Sequence, residues 1–283
     1  LKLQLSRREN LSRALALASG WFQAQLRTPE GLRAYEYLVN KRGLKESTID
    51  SFHLGYAPND WEALGNHLQT VEGFKPEVLA AAGLVVARKG GQGFYDRFRN
   101  RLMVPIHDRQ GRVIGFGGRS LDGTEPKYLN SPETEVFEKG KHLFGLDRAA
   151  SSIRSNDRAV VVEGYFDVIA LHAAGVTNSV ASLGTALSGK QITQLCRCTD
   201  SKRIVLNFDA DGAGVRAAER AIGSVEQLAL QGQLELRVLH LPSGKDPDEF
   251  LRDHDAGDYK ALLDKSPLWL NWQIEQVLEG RDL

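Results

Sequence analysis

The chain has 283 residues, of which 42% are hydrophobic and 25% charged, and its 36 basic side chains balance its 36 acidic ones. No apolar run approaches the roughly 20 residues that a membrane-spanning helix needs, so we expect no membrane association. Its two cysteines, Cys196 and Cys198, are too few to close a four-ligand zinc site and indicate reduced thiols in a cytoplasmic protein. Because the chain begins with Leu1 and is long for one domain, we expect a two-domain fragment.

The first 82 residues are rich in apolar side chains at helical spacing. We expect helices at residues 32–42, 45–52, 61–68 and 76–82. Gly43 and Gly83 stand where the first and last of these should end. Nothing in this stretch is catalytic by composition, and Arg42 is expected to be a solvated arginine at a helix end.

The stretch 88–119 is strongly basic, with eight basic residues and two acidic ones. Two apolar runs, 102–107 and 112–119, flank a glycine-bearing turn and predict an antiparallel hairpin. Arginines alternate here with aromatic side chains, which suits a surface that neutralises phosphates and stacks bases. The alternative is a solvated strand face, although such faces usually mix both signs of charge.

A loop framed by prolines follows at residues 125–133 and carries Lys127, Tyr128 and Asn130. These side chains suit contact with a triphosphate or a nucleic-acid backbone. An ordinary polar surface loop explains them equally well.

Strands and helices alternate regularly from residue 146 onward. Strands are predicted at residues 159–162, 179–182, 203–208 and 234–239, with helices at 166–174, 190–199 and 214–230. This order predicts a four-stranded parallel sheet with helices on both faces. Further helical segments are expected at 259–263 and 268–278.

The two halves of the chain differ in net charge. Residues 1–145 hold 21 basic and 16 acidic side chains, whereas residues 146–283 hold 15 basic and 20 acidic ones.

Acidic side chains follow three of these predicted strands. Glu163 comes after the first, Asp209 and Asp211 after the third, and Asp246 and Asp248 after the last. The carboxyl ends of parallel strands share one sheet edge, where ligands bind. Carboxylates gathered there predict a site for a hard divalent cation such as Mg²⁺.

Acids at such turns can also belong to a calcium loop or serve as helix caps. A calcium loop beginning at Asp209 fails because its twelfth position is Arg220, where a bidentate glutamate is needed. Helix capping accounts for one acid per turn rather than for three acidic turns in one sheet.

Several motifs together resemble a known family. They are Glu163-Gly164-Tyr165, Asp209-x-Asp211-Gly212, Asp246-Pro247-Asp248, and the stretches 97–101 (RFRNR), 115–119 (GFGGR), 126–133 (PKYLNSPE) and 181–185 (ASLGT). The first two of these motifs, which follow strands in the predicted sheet, resemble the Toprim domain of primases, topoisomerases and some nucleases. The full set is similar to the RNA polymerase core of bacterial replicative DNA primases of the DnaG type, over essentially the whole chain.

The resemblance implies an α/β fold with three parts. A basic mixed α/β domain at 1–145 is followed by a Toprim domain at 146–256 and the start of a helical subdomain at 257–283. It implies DNA-templated synthesis of RNA primers from ribonucleoside triphosphates, by a protein that is a monomer. It also implies that a domain that contacts the replicative helicase and a zinc module lie outside this chain. Mg²⁺ or Mn²⁺ would be held by Glu163, Asp209 and Asp211, with Asp246, Asp248 and Asp167 assisting. Nucleotide or template would be bound by Arg97, Arg99, Arg101, Arg119, Lys127, Tyr128, Asn130 and Lys139.

Two alternative functions stay open at this point. One is a different Toprim enzyme, either a nuclease or a strand-passing enzyme, although the latter needs a nucleophilic tyrosine in a separate domain. The other is a non-catalytic module that binds single-stranded nucleic acid. Acids facing phosphates without a metal would repel them, which argues against that module.

Overall fold

A computed structural model describes residues 2–184, 187–209 and 212–279 of the chain. The chain divides into two compact units, Leu1–Glu138 and Lys139–Leu283. The domain boundaries expected after residues 145 and 256 stay predictions. Within the described ranges no helix has both the length and the apolar character needed to cross a membrane.

The first unit is a mixture of short helices and strands. Its helices are α1 (Lys2–Leu26), α2 (Leu32–Glu36), α3 (Glu46–Ser51), α4 (Ala63–Thr70) and α5 (Pro76–Ala81), with a 3-10 turn at Pro29–Gly31 and a π-helix at Tyr37–Lys41. Its strands are β1 (Gly55–Ala57), β2 (Val85–Ala87), β3 (Phe94–Asp96), β4 (Arg101–His107), β5 (Val113–Ser120) and β6 (Tyr128–Asn130). The four helices predicted after residue 30 are confirmed, except that the second half of the first is a π-helix.

An antiparallel sheet in the order β1-β4-β5-β6 forms the centre of this unit. The predicted hairpin is confirmed, with Met103 opposite Gly118. The proline-framed loop differs from its prediction because Tyr128–Asn130 forms a third strand against β5, with Tyr128 opposite Arg119. Three residues are too few to show the alternation by which strands are detected in a sequence.

Helix α1 packs on this sheet through one apolar stripe. Leu11, Leu15, Ala18 and Phe22 recur at helical spacing, and each is at most 1% exposed. Gly55 of β1 allows the close approach, since a Cβ there would lie 2.6 Å from the backbone carbon of Phe22. The helix therefore lies directly against the strand.

The second unit alternates strands and helices. Its helices are α6 (Leu146–Asn156), α7 (Tyr165–Ala173), α8 (Gly189–Cys196), α9 (Gly212–Gly223), α10 (Glu226–Leu230), α11 (Pro247–Asp253), α12 (Ala256–Lys265) and α13 (Trp269–Glu279). Its strands are β7 (Ala159–Val162), β8 (Ser179–Ala181), β9 (Arg203–Asn207) and β10 (Glu235–Leu239), with 3-10 turns at Lys139–Lys141 and Pro242–Gly244.

These strands form a parallel sheet in the order β10-β9-β7-β8, as predicted. Successive side chains of a strand point to opposite faces, and all four residues of β7 are fully buried. Helices therefore cover both faces. One predicted helix is wrong: residues 214–230 form two helices, because the chain turns at Val225, whose side chain is 2% exposed.

Candidate functional site

The carboxylate of Glu163 contacts the segment that carries Asp209. Glu163 follows β7 directly, and Asp209 lies two residues beyond β9, the neighbouring parallel strand. The Oε1 atom of Glu163 accepts a hydrogen bond from the Asp209 backbone N–H at 3.1 Å. Gly214 packs directly against the Asp209 backbone. A Cβ at this position would lie 2.0 Å from the Asp209 carbonyl oxygen, so only glycine allows this close approach. The side chain after one strand thus contacts the backbone after its neighbour at one sheet edge.

Asp167, in the first turn of α7, lies beneath this edge and is only 8% exposed. Its Oδ2 atom accepts the Gly164 N–H at 2.9 Å, which fixes the turn after Glu163. Burial raises the pKa of Asp167 well above its ordinary value, and the charges of Asp246, Asp209 and Asp248 raise it further. The carboxyl group of Asp167 is therefore near enough to Asp209, Asp246 and Asp248 to be affected by their charges.

Asp246 and Asp248 also have structural partners. Asp246 is the N-cap of α11 and accepts the Glu249 N–H at 2.7 Å. Asp248 is 3% exposed and forms an ion pair with Arg252, one turn later in the same helix. Helix capping therefore does apply to Asp246, in addition to its closeness to Asp167. Asp211 lies outside the described residues.

The acids have the chemistry that a hard divalent cation requires. Oxygen donors of like charge lie near one another, and a cation between them would relieve their repulsion. Within the ranges 2–184, 187–209 and 212–279, no group of three or more His, Cys, Asp or Glu side chains forms a ready-made metal site. The described part of the set is thus Glu163 and Asp209 in contact, with Asp167, Asp246 and Asp248 nearby.

The three arginines of the RFRNR stretch have different partners. Arg101 is 6% exposed, and its Nη1 atom donates to the carbonyl oxygens of Gly118 at 3.2 Å and Pro126 at 2.8 Å. Arg97 donates to the carbonyl oxygen of Asn130 at 3.1 Å. These two arginines, predicted to bind nucleotide or template, bind the backbone on either side of Lys127.

Arg99 instead packs against aromatic rings. Its guanidinium carbon lies 4.1 Å from the ring centroid of Trp61 and 5.2 Å from that of Tyr95. Trp61 is 57% exposed. An adjoining cavity of about 360 Å³ is lined by Trp61, Arg97, Arg99, Arg101, Asp122 and Pro126, among others. Exposed aromatic rings and arginine side chains are the groups that single-strand-binding proteins use to stack bases.

The sequence pattern predicts Trp61 only as the start of a helix. The structure places it in the loop before α4. A large aromatic side chain in the polar segment 58–62 is the signal that could have identified it.

Two of the other predicted basic residues, Arg119 and Lys127, lie beside Tyr128. Arg119 is opposite Tyr128 in the sheet, with its guanidinium carbon 5.9 Å from the ring centroid. The Nζ atom of Lys127 lies 6.0 Å from the same centroid.

Arg42, expected to be solvated, instead donates from Nε to the Tyr37 hydroxyl at 2.7 Å. Lys139 belongs to the second unit, where its carbonyl oxygen accepts a hydrogen bond from Gln191.

Two family models cover most of the chain. Residues 21–150 match the N-terminal domain of the DNA primase catalytic core, and residues 160–251 match a Toprim-like domain. A DNA primase of Synechococcus elongatus is 62% identical over the whole chain, which covers 41% of that protein.

Solved structures agree with these matches. A DNA primase domain from Pseudomonas aeruginosa has a TM-score of 0.87 at 38% identity, over 96% of this chain and 84% of that one. A DnaG primase catalytic domain bound to single-stranded DNA has a TM-score of 0.85 at 36% identity, over 98% and 85%.

The fold and the acidic edge define the class as an α/β protein with a Toprim-like domain, a class that is generally metal-dependent. The chain belongs to the family of DnaG-type DNA primase catalytic cores. It spans about two fifths of the length of the curated primases that it matches.

Proposed function

We propose that this chain is the polymerising core of a DNA primase, which makes short RNA primers on single-stranded DNA from ribonucleoside triphosphates. The proposal depends on one observation, the contact between Glu163 and the Asp209 segment at the ends of two neighbouring parallel strands. In a chain of the primase family, that contact supports a metal-dependent nucleotidyl transfer rather than a purely structural edge.

In the proposed reaction, the 3′-hydroxyl oxygen of the primer forms a bond to the α-phosphorus of the incoming triphosphate. The bond from that phosphorus to the oxygen leading to the β-phosphate breaks, pyrophosphate leaves, and the hydroxyl proton passes to solvent. Mg²⁺ or Mn²⁺ is assigned to Glu163, Asp209 and Asp211, with Asp246, Asp248 and Asp167 assisting. When bound, such ions stabilise the charge on the attacking and departing oxygens.

Two sets of side chains are assigned to the substrates. Arg119, Lys127, Tyr128, Asn130 and Lys139 are assigned to the phosphates of nucleotide or template. Trp61, Tyr95 and Arg99 are assigned to the bases of single-stranded DNA, because an exposed aromatic ring packed on an arginine offers a stacking surface. A related catalytic domain has been solved bound to single-stranded DNA. Arg97 and Arg101 are assigned to the same surface through the backbone that they hold.

Asp209→Ala tests the metal assignment. The alanine keeps the backbone N–H that binds Glu163 but removes one carboxylate, so primer extension with Mg²⁺ or Mn²⁺ should be abolished while single-strand binding stays nearly intact. Asp200→Ala, which removes an exposed acid of the same unit, is the control and should extend primers normally. Normal extension by Asp209→Ala with either metal would overturn the assignment.

A second assay separates this proposal from a nuclease. Labelled single-stranded DNA incubated with Mn²⁺ and no nucleotides should stay intact, whereas cleavage would favour the nuclease. The helicase partner, the monomeric state and the cytoplasmic location stay predictions.

A further inference from the structure

Tyr37 lies among basic side chains, and the proposed function assigns it no role. We call Tyr37, Arg42, Arg119 and Tyr128 the Tyr37 cluster. The guanidinium carbon of Arg119 lies 4.3 Å from the Tyr37 ring centroid, and that of Arg42 lies 5.5 Å from it. One ring therefore contacts two guanidinium groups.

The hydroxyl group of Tyr37 makes a separate contact. It accepts the hydrogen bond from Arg42 Nε at 2.7 Å, and this bond fixes the guanidinium plane of Arg42. Arg42 thus contacts both the ring and the hydroxyl of Tyr37, whereas Arg119 lies against the ring. The ring faces Arg119 most closely, and the hydroxyl holds Arg42.

The π-helix is what brings Arg42 to Tyr37. The Arg42 backbone N–H donates to the Tyr37 carbonyl oxygen at 3.1 Å, five residues back, where an α-helix would pair residues four apart. In an α-helix the Lys41 N–H would make that bond, and the Nζ atom of Lys41 also lies 6.0 Å from the Tyr37 ring centroid. The wider turn therefore sets a guanidinium group, with its directional fork of donors, over the tyrosine.

The cluster continues to the open surface through Tyr128. Tyr128 is 40% exposed, and Arg119 lies between its ring and that of Tyr37. Partial burial raises the pKa of the Tyr128 hydroxyl, while the charges of Arg119 and Arg42 oppose that rise. Arg119 therefore links the exposed tyrosine to Tyr37.

Two guanidinium groups this close repel each other, and each would lose side-chain freedom on binding an anion. An aromatic face attracts both cations and restricts their positions in advance. We propose that Tyr37 is a positioning residue that holds Arg119 and Arg42 ready to bind phosphate groups. The inference rests on the proposed function for its ligand, the phosphates of incoming nucleotide or of template DNA.

The test compares Tyr37→Leu, Tyr37→Phe and the control Tyr35→Leu. Tyr35 is a matched control, because its ring also lies under an arginine, Arg27 at 5.3 Å, and its hydroxyl also makes a hydrogen bond, to Glu46. Tyr37→Leu should raise the KM for nucleotide in primer extension about 10-fold with kcat nearly unchanged. Tyr37→Phe keeps the ring and should raise it about 2- to 3-fold, and Tyr35→Leu should leave it unchanged.

Equilibrium binding distinguishes the two sources of phosphate. A weaker Kd for ATP alone assigns the cluster to the nucleotide. A weaker Kd for labelled oligothymidylate, with a salt dependence reduced by about one or two ions, assigns it to the template. Either result supports the proposal, and Kd and KM values for Tyr37→Leu equal to those of Tyr35→Leu would overturn it.

Two safeguards keep the result interpretable. If Tyr37→Leu does not fold, Tyr37→Phe decides the matter, since it removes one oxygen atom and should leave the melting temperature unchanged. If the wild-type chain binds ATP and DNA but extends no primer, the proposed function fails, and the binding measurements still test the Tyr37 cluster.

Discussion

The Glu163 carboxylate and the Asp209 backbone are 3.1 Å apart, although 46 residues separate them along the chain. Glutamine at position 163 would keep an oxygen that can accept the Asp209 N–H but would lose the negative charge. A glutamine at position 163 therefore tests the negative charge of the side chain while its size and its hydrogen bond are retained.

We expect Glu163→Gln to reduce the kcat of primer extension at least about 100-fold, because a carboxylate assigned to the metal is lost. Its melting temperature should stay within about 2 °C of the wild type, since the hydrogen bond is preserved. Glu226→Gln, which neutralises an exposed acid of the same unit, should have neither effect. Near-normal extension by Glu163→Gln would show that Glu163 serves the fold alone.

A second prediction concerns Arg101, whose guanidinium group binds two carbonyl oxygens on different segments. Lysine keeps the positive charge, but its shorter side chain without a guanidinium group cannot place a nitrogen where Nη1 donates to both carbonyl oxygens. Arg101→Lys should lower the free energy of unfolding by about 1–3 kcal/mol, measured by urea denaturation, and should raise the KM for nucleotide. Arg109→Lys, at the exposed hairpin turn, is the control. Unchanged stability with weaker nucleotide binding would instead indicate direct contact with the ligand.

A third prediction concerns Asp96, which is 2% exposed and accepts the backbone N–H groups of Leu64 and Gly65 at 2.7 and 2.8 Å. Burial raises its pKa to about 6. Between about pH 4 and pH 6 the folded chain keeps a proton that the unfolded chain has released. Raising the pH through this window therefore lowers the contribution of Asp96 to the free energy of unfolding, by up to about 3 kcal/mol.

Asp96→Asn removes this titration. The free energy of unfolding of the wild type, minus that of the variant, should fall as the pH rises through this window, in urea titrations at a series of pH values. The same subtraction with Glu77→Gln, an exposed acid of the same unit, should stay nearly constant. A pH-independent difference for Asp96→Asn would contradict the raised pKa.

The sheet of the second unit could be predicted from the sequence because its strands are continuous apolar runs. Ala159–Val162 is buried on both faces and followed directly by Glu163, so strand, edge and acid are all visible in a short window. The acidic turns, together with the arginine and glycine motifs, point to the primase family, which the family models confirm.

What the sequence could not reveal depends on contacts between distant residues. The separate roles of Arg97, Arg99 and Arg101 follow from their partners on other segments, such as Trp61 for Arg99. The π-helix at Tyr37–Lys41 has no periodicity distinct from that of an α-helix over five residues. Asp246 and Asp248 stood out as acids, whereas the cap and the ion pair that they form required coordinates.

The strands β7 and β9 are neighbours in the sheet, yet the strand between them in sequence, β8, pairs on the far side of β7. Joining β7 to β9 closes a long stretch of chain, and the entropy cost of that closure precedes any gain from pairing. Glu163 and Asp209 are therefore held together by the pairing of β7 with β9 and not by local chain structure. A chain in which β9 has not paired with β7 carries both acids but does not hold them together.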